Sequence, residues 1–406
     1  MPKPATRPMH RHLSDLRGAT RLAAEGTLGL ADLVEAMHER IATLPGAAQD
    51  GRMSGVLGIT GLVYKSIRGV TRLVGGSLDA LLGLLAPMLQ PTPGGAEAPA
   101  AREREALVAA LNGVLGDHLE ASANPLAIPM RLRHEGRALT LDAAALQAAL
   151  PRATGRLLVL IHGLCMNDLQ WQREGHDHGA LLAREGGYTP VYLHYNSGRP
   201  VHANGAELAR LMEQLLVAWP QPLQRVVLLC HSMGGLLARS ALHQGAAAGQ
   251  AWPARVDDLV FLGTPHHGAP LERAGHGLDI VLGAAPYAAP LARLGKIRSA
   301  GITDLRHGRL LPGHASGHAT KPQHVPLPTH LRCYAAAASL GAEPQALKGR
   351  LLGDGLVPVA SALGRHPRPS RTLVFEPDCQ AVLPAMNHMD LLSRPEVCER
   401  LLHWLR

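Results

Sequence analysis

One serine in this chain has the local sequence that covalent catalysis requires. Ser232 lies in residues 225–235, RVVLLCHSMGG, where an apolar run is followed at once by small residues and then by apolar residues at helical spacing. This order predicts a nucleophile elbow, a sharp strand-to-helix turn that exposes the serine hydroxyl. A serine hydroxyl is a weak nucleophile, so it needs a nearby base and fixed N–H donors for the oxyanion that it generates.

The elbow departs from its usual pattern, G-x-S-x-G, at one position. Gly234 provides the small residue two places after the serine, while Cys230 stands where the first glycine is expected. We expect Cys230 to be a structural residue between strand and helix, not a second nucleophile. Taken alone, the motif is also compatible with a chance S-x-G-G turn.

A general base and its carboxylate partner are predicted further along the chain. Asp354 lies in GDGLVP, in the loop after a predicted strand at 331–337, and His388 lies in NHMDLL after the last predicted strand. A carboxylate fixes the tautomer of a catalytic histidine and stabilises its imidazolium form. The chain order of serine, acid and histidine is the one expected for a strand–turn–helix elbow in a parallel sheet. The rival acids are Asp304, Asp378 and Asp390, and the rival bases are His366 and His403.

An oxyanion hole is predicted from two backbone N–H groups. Gly163 follows a predicted strand at 157–161 and allows the next loop to fold back over the elbow. The N–H of Leu164 would then face the same point as the N–H of Met233, the residue after the serine. An ordinary strand-to-loop turn is the alternative.

The elements around these residues predict an α/β protein. A hairpin is expected from 128–132 and 138–141, and strands are expected at 157–161, 191–195, 226–229, 259–263, 331–337 and 372–375. Helices are expected at 207–219, 236–243 and 396–404. Such alternation predicts a mostly parallel sheet with helices on both faces, and its site at the carboxyl ends of the strands.

We expect two regions in the 406-residue chain. Residues 1–122 predict a helical N-terminal extension with a Pro/Gly linker near 87–101, and residues 123–406 predict the catalytic domain. A segment near 268–328, rich in Gly, Pro and His, is long enough for a lid. Its histidines lack a tight metal-ligand spacing, so neither a metal nor another cofactor is expected.

Charge and cysteine usage limit the partners and the compartment. The net charge is +8, and the excess lies after residue 125, because residues 1–125 hold 12 basic and 12 acidic side chains. Without interleaved aromatics, this favours solubility or anionic lipid over nucleic acid. Five scattered cysteines and the lack of an apolar signal region predict a cytoplasmic protein, with a peripheral location at a membrane surface as the alternative.

Residues 60–78 are the candidate for membrane contact. Their apolar residues share one side of a helix and their basic residues share the other, as expected of an interfacial helix. Packing of the apolar side onto the catalytic domain is the alternative. The apolar side consists of Val63, Ile67, Val70 and Val74, and the basic side of Lys65, Arg68 and Arg72.

Five short motifs together resemble the α/β-hydrolase superfamily, in particular the lipase and esterase branch that includes glycosylphosphatidylinositol inositol-deacylase-like proteins. They are VLIHGL, LLCHSMGGL, FLGTPHHGAP, GDGLVP and NHMDLL, and they lie within residues 125–406. The resemblance implies Ser232 as nucleophile, His388 as base and Asp354 as its orienting acid, with Leu164 and Met233 as oxyanion donors. It also implies that residues 264–268, TPHHG, shape a pocket wall.

The function expected is hydrolysis of carboxylic esters through an acyl-enzyme on Ser232. Acyl transfer or thioester hydrolysis by the same residues is an alternative, as is a catalytically inactive membrane-associated scaffold.

Overall fold

The computed structural model describes residues 99–269, 299–312, 323–341 and 353–406, together with Gly18 and Arg21. The predictions for the linker and for residues 60–78 fall outside the described residues, apart from the last few positions of the linker. Most of the predicted lid also falls outside them. The predicted division of the chain near residue 122 and the lid therefore stay predictions.

Eight strands form one sheet in the order β2-β1-β4-β3-β5-β6-β7-β8. The strands β3 to β8 are mutually parallel, while β1 is antiparallel to both β2 and β4. The bounds are β1 Arg131–His134, β2 Arg137–Ala138, β3 Arg156–Ile161, β4 Thr189–His194, β5 Arg225–His231, β6 Asp258–Leu262, β7 Arg332–Ser339 and β8 Gln380–Pro384. This confirms the predicted mostly parallel sheet.

The central strands are continuous apolar runs because both of their faces are covered. In β3, β5 and β6 nearly every residue is buried, as expected for strands in the middle of a parallel sheet. The strand β7 is unusual, since Ala335 to Ala338 give it small side chains with low intrinsic strand preference. Its burial between β6 and β8 overrides that preference.

The predicted hairpin is confirmed, and its turn follows from two residues. Glu135 has φ 49° and Gly136 has φ 72°, and they link the paired residues His134 and Arg137. A two-residue loop with positive φ at both positions matches the twist of antiparallel strands.

The predicted strand at 372–375 is wrong. These residues follow a 3-10 turn at Pro369–Arg371, and the last strand is β8, at Gln380–Pro384. The β-branched side chain of Val374 is 84% exposed, so it does not occupy a covered sheet position. Strand preference depends on packing against neighbours, and here only the later segment pairs with β7.

The described helices confirm those predicted near 207–219, 236–243 and 396–404. Their bounds are α1 Pro99–Ala121, α2 Ala143–Ala149, α3 His178–Gly186, α4 Val201–Ala218, α5 Met233–Ala247, α6 Ala300–His307, α7 Val359–Ala362 and α8 Pro395–Leu405. Among these described helices, none is both long and apolar enough to cross a membrane.

The helices cover both faces of the sheet. One face packs alternate residues of β3 and β5 to β8 against Leu182 of α3 and Leu401 of α8. The helices α4 and α5 pack against each other. They connect β4 to β5 and β5 to β6, toward the β8 edge of the sheet, whereas α3 connects β3 to β4, toward the β2 edge. Because such crossovers are right-handed, α4 and α5 lie on the other face.

Most of the helix α1 belongs to the larger compact unit, which comprises residues 98–118 and 128–406. A Cβ atom at Gly113 would overlap the Cys165 side chain, and one at Gly116 would overlap the Asn196 amide. Asn196 donates a hydrogen bond to the Gly116 carbonyl at 2.8 Å. The two glycines therefore let α1 lie directly against the loops that follow β3 and β4.

Candidate active site

The predicted elbow is present at the carboxyl end of β5. The strand ends at His231, Ser232 has φ 53° and ψ −124°, and α5 begins at Met233. A positive φ is unfavourable for serine, so the surrounding structure holds this turn in a strained conformation. The Ser232 hydroxyl makes no capping hydrogen bond to α5, although it stands at the amino terminus of that helix.

The two positions that flank the serine have different roles. At Gly234 a Cβ atom would overlap the backbone carbonyl of Ile161, so the close approach of α5 to β3 requires glycine. Cys230 is fully buried, and its burial raises the thiol pKa well above the ordinary value. A thiol that stays protonated is a poor nucleophile, which agrees with a structural role for Cys230.

Asp354 and His388, predicted from separate loops, lie in direct contact. His388 Nδ1 is 2.7 Å from Asp354 Oδ2, and both side chains are buried. The other carboxylate oxygen, Oδ1, accepts hydrogen bonds from the backbone N–H groups of Leu356 at 2.9 Å and Val357 at 2.7 Å. A carboxylate oxygen accepts in such a contact, so Nδ1 is the donor, and in the neutral imidazole Nε2 then keeps its lone pair. Among the described residues, Nε2 of His388 has no hydrogen-bond partner.

The turn after β6 borders both Ser232 and His388. The backbone N–H of Ser232 donates to the Leu262 carbonyl at 2.8 Å. The next residue, Gly263, has φ 61°, and a Cβ atom there would lie 3.0 Å from Cε1 and 3.1 Å from Nδ1 of His388. The serine and the histidine therefore lie beside two consecutive residues, Leu262 and Gly263. The His388 ring leaves no space for a side chain at Gly263.

The loop that carries Leu164 lies over the elbow, as predicted. A Cβ atom at Gly163 would lie 3.0 Å from the Ser232 Cβ, so this glycine permits the close approach. Cys165 has φ 59°, and its backbone N–H donates to the Ser197 hydroxyl at 3.0 Å. The loop is thus held against the serine, while the donor roles of Leu164 and Met233 stay predictions.

A buried charge network, which the sequence did not predict, anchors Asp168 in the segment that follows Leu164. Arg133 lies 2.7 Å from Asp168 Oδ1 and 2.9 Å from Glu105 of α1, and His194 Nδ1 lies 3.0 Å from Asp168 Oδ1. Burial alone would raise the pKa of Asp168, but His194 and Arg133 together lower it below its usual value. The network joins α1, β1 and β4 to the turn that follows Leu164.

His231 is a second group that sequence reasoning missed, although it adjoins the serine. Its ring centroid is 4.7 Å from that of His388, and its Nε2 is 3.2 Å from the His388 carbonyl. Burial lowers the pKa of His231 well below the ordinary value, so the ring is neutral. We infer that His231 positions the backbone of His388 and takes no proton from substrate.

The rival residues have other contacts. Asp304 accepts from the Val201 N–H at 2.9 Å, and Asp390 accepts from the Asn387 N–H at 2.8 Å in the loop that carries His388. His403 is exposed on α8. In the TPHHG segment, His266 Nδ1 is 3.2 Å from Arg239, and His267 Nε2 is 2.9 Å from the Gly364 carbonyl.

The fold follows from these observations, and part of the chain matches a family model. The eight-stranded sheet with helices on both faces and a strand–serine–helix turn is the α/β-hydrolase fold. Residues 152–314 match the family model of the PGAP1-like alpha/beta domain. This match confirms the predicted resemblance to the α/β-hydrolase superfamily and to its inositol-deacylase-like branch. No curated protein matches the chain.

Several solved structures are similar to the chain at low identity. The RedJ thioesterase of Streptomyces coelicolor is 18% identical, with 63% of this chain and 91% of that one covered and a TM-score of 0.35. The esterase Pf2001 of Pyrococcus furiosus is 15% identical, with coverage of 63% and 83% and a TM-score of 0.35. A hormone-sensitive lipase from a metagenome library is 15% identical, with coverage of 62% and 78% and a TM-score of 0.36. The substrates of these proteins are not transferred to the present chain.

Proposed function

We propose that the chain is a serine hydrolase of carboxylic esters that forms an acyl-enzyme on Ser232. The observation that carries this proposal is the buried 2.7 Å contact between Asp354 and His388, beside a serine held at the strained elbow. The match to the PGAP1-like domain supports the same class of chemistry. These groups together form the nucleophile, base and orienting acid of acyl transfer.

In the first half of the reaction, Ser232 Oγ attacks the carbonyl carbon of the ester while His388 Nε2 takes the hydroxyl proton. Asp354 stabilises the imidazolium through its contact with Nδ1. The tetrahedral oxyanion lies at the amino terminus of α5, where the N–H groups of Met233 and Leu164 donate to it. Collapse of this intermediate breaks the ester bond, and the leaving alkoxide receives the proton from Nε2.

In the second half, water attacks the acyl-enzyme and His388 Nε2 takes a proton from that water. The second tetrahedral intermediate collapses, the carboxylic acid leaves, and the proton returns to Ser232 Oγ. No cofactor takes part in these steps.

The test is ester turnover by the purified full chain on p-nitrophenyl esters of increasing acyl length. Because the residues act as a unit, Ser232→Ala and His388→Ala should each lower turnover at least ~10³-fold, and the double variant should cost little more. His403→Ala, at an exposed position on α8, is the matched control and should keep wild-type turnover. Turnover above a tenth of wild type in the double variant would reject the assignment.

Two further arms of the same experiment address the alternative reactions. Thioester substrates of equal acyl length test thioester hydrolysis, and added alcohol or amine tests acyl transfer through the product formed. We expect the free acid from an oxygen ester as the main product, since water is the acceptor in the proposed reaction. A transfer product that dominates at low acceptor concentration would make the chain an acyltransferase. Inactivity on every substrate would favour the scaffold alternative.

Contact with an anionic membrane through residues 60–78 belongs to the same proposal as a separate hypothesis. Its basis is the opposed apolar and basic residues of the sequence, each Lys or Arg near such a surface contributing about 1 kcal/mol. Cosedimentation with vesicles should increase with anionic lipid and weaken with salt. Changing Lys65, Arg68 and Arg72 to glutamine should reduce pelleting, and equal pelleting of that variant would contradict the hypothesis. Neutral vesicles are the control.

A further inference from the structure

Three side chains from distant parts of the sequence bring metal-ligating atoms together outside the candidate active site. His176 Nε2 is 2.8 Å from His178 Nδ1, and the Sγ of Cys398 is 3.3 Å from His176 Nε2 and 4.0 Å from His178 Nδ1. His176 ends a tight turn, His178 begins α3, and Cys398 lies in the first half of α8. This group is called the His–His–Cys cluster below.

The separations come within about 0.5 Å of those of a tetrahedral zinc site. Zinc bonds of about 2.0–2.1 Å to nitrogen and about 2.3 Å to sulfur place two nitrogens about 3.3 Å apart, and nitrogen and sulfur about 3.5 Å apart. The three observed separations scatter around these values. We propose that the His–His–Cys cluster binds one Zn²⁺ through His176 Nε2, His178 Nδ1 and Cys398 Sγ, with water as the fourth ligand.

His178 is already oriented as a zinc ligand. Its Nε2 lies 3.0 Å from the Leu391 carbonyl, and because a carbonyl only accepts, Nε2 carries the hydrogen and Nδ1 is left as a lone pair. A second ring nitrogen that donates to a backbone carbonyl is the usual support for a metal-bound histidine.

The backbone on either side of the two histidines is fixed as well. Arg173 and His176 exchange two backbone hydrogen bonds of 2.8 Å across Glu174 and Gly175, which both have positive φ. Asp177 caps α3 by accepting from the Ala180 N–H at 2.9 Å. The turn before His176 and the helix cap at Asp177 therefore fix the backbone of the two histidines.

Cys398 and His176 are only partly buried, which leaves the cluster open on one side for a water ligand. The Cys398 thiol donates to the Arg394 carbonyl at 3.3 Å. When zinc binds, the S–H bond breaks, its proton leaves to solvent, and the thiolate forms the Zn–S bond. Imidazole and thiolate together favour zinc over the hard cations Mg²⁺ and Ca²⁺.

A metal ion at this position would join the start of α3 to α8. The Leu391 carbonyl that holds His178 lies three residues beyond His388 in the chain, so the same ion would also support the loop of the catalytic base. The cluster itself contains none of the proposed catalytic residues, and the zinc proposal does not depend on the proposed function.

The experiment uses the full chain without an affinity tag, freed of metal with a chelator and checked by circular dichroism. Zinc binding is measured by competition with a chromophoric chelator, and Co²⁺ replaces zinc to report a thiolate ligand through its charge-transfer absorption. We expect one tight equivalent of Zn²⁺ per chain and a cobalt–thiolate band. Cys398→Ser and His176→Gln should each weaken zinc affinity at least ~10²-fold. Loss of a metal ligand should cost more than loss of a residue that only hydrogen-bonds to a ligand.

The controls are Cys379→Ser and His403→Gln, which should keep both the zinc affinity and the cobalt–thiolate band. The chain holds 23 histidines, so the histidine control shows that the effect is specific to the cluster. Cys398 and His176 are partly exposed, so their variants should fold, and the dichroism spectrum verifies this. Wild-type protein without a cobalt–thiolate band would overturn the proposal. Equal zinc affinity in folded Cys398→Ser would also overturn it, because the zinc would then be bound elsewhere.

Discussion

Replacement of Asp354 by asparagine should separate catalysis from stability. In the folded chain Asp354 Oδ2 accepts from His388 Nδ1, while Oδ1 accepts from two backbone N–H groups. An asparagine oxygen at the Oδ1 position keeps both backbone hydrogen bonds. Its amide group at the Oδ2 position donates instead of accepting, so His388 must take the tautomer with the hydrogen on Nε2. That histidine cannot accept the serine proton.

The expected loss follows from the tautomer. The equivalent change in a serine protease triad lowers kcat by ~10⁴, which corresponds to about 5.5 kcal/mol at about 1.4 kcal/mol for each factor of ten. Stability should change little in Asp354→Asn. In Asp354→Ala, by contrast, the buried N–H groups of Leu356 and Val357 lose their acceptor, at about 1–3 kcal/mol each.

The assay is kcat on a p-nitrophenyl ester together with the free energy of unfolding from urea denaturation. Asp354→Asn should be nearly inactive and nearly as stable as wild type, whereas Asp354→Ala should be inactive and about 2–6 kcal/mol less stable. If Asp354→Asn keeps more than a tenth of wild-type kcat, the carboxylate does not orient the base, and the contact with His388 is only structural.

Three further outcomes are expected. Cys230→Gly should keep activity, since glycine meets the steric need of the elbow, and loss of activity with an intact dichroism spectrum would give the thiol a chemical role. Gly263→Ala should lower kcat about 10²-fold by displacing His388. The control is Gly249→Ala, at a glycine that also has a positive φ but no atom within 4 Å of an added Cβ, and it should keep the wild-type kcat. Equal activity of both variants would contradict the contact between Gly263 and His388. In metal-free protein, the free energy of unfolding should fall as pH drops from about 6.5 to about 4. The reason is that His178 binds a proton in the unfolded chain, whereas in the folded chain its burial lowers the pKa to about 4. This difference contributes about 3 kcal/mol, and an unchanged pH slope in His178→Gln would contradict it.

Much of the fold could be predicted because the central strands are short apolar runs that end in recognisable turns. The runs that became β3, β5 and β6 are covered on both faces, so their burial is visible directly in their composition. The contact between Asp354 and His388 was predictable for a related reason. The carboxyl ends of parallel strands lie at one edge of the sheet, so the loops that follow the neighbouring strands β7 and β8 lie side by side.

The remaining features depend on tertiary contacts that no local pattern reports. The strand preference of 372–375 was misleading because Val374 has no covering element, while the more polar Gln380–Pro384 pairs with β7. Likewise, Gly113 of α1 has no room for a side chain because the loop that carries Cys165 lies against it. The His–His–Cys cluster joins residues 220 positions apart, so its ligand spacing is not visible as a motif.

The most direct test of Ser232 as the nucleophile is covalent labelling with a fluorophosphonate, followed by peptide mass spectrometry. The wild-type chain should gain one label, on the peptide that contains Ser232, because only an activated serine attacks the phosphorus. Ser232→Ala should remain unlabelled, and His388→Ala should react much more slowly than wild type. A label on a different residue, or one that survives Ser232→Ala at the wild-type rate, would contradict the proposed mechanism.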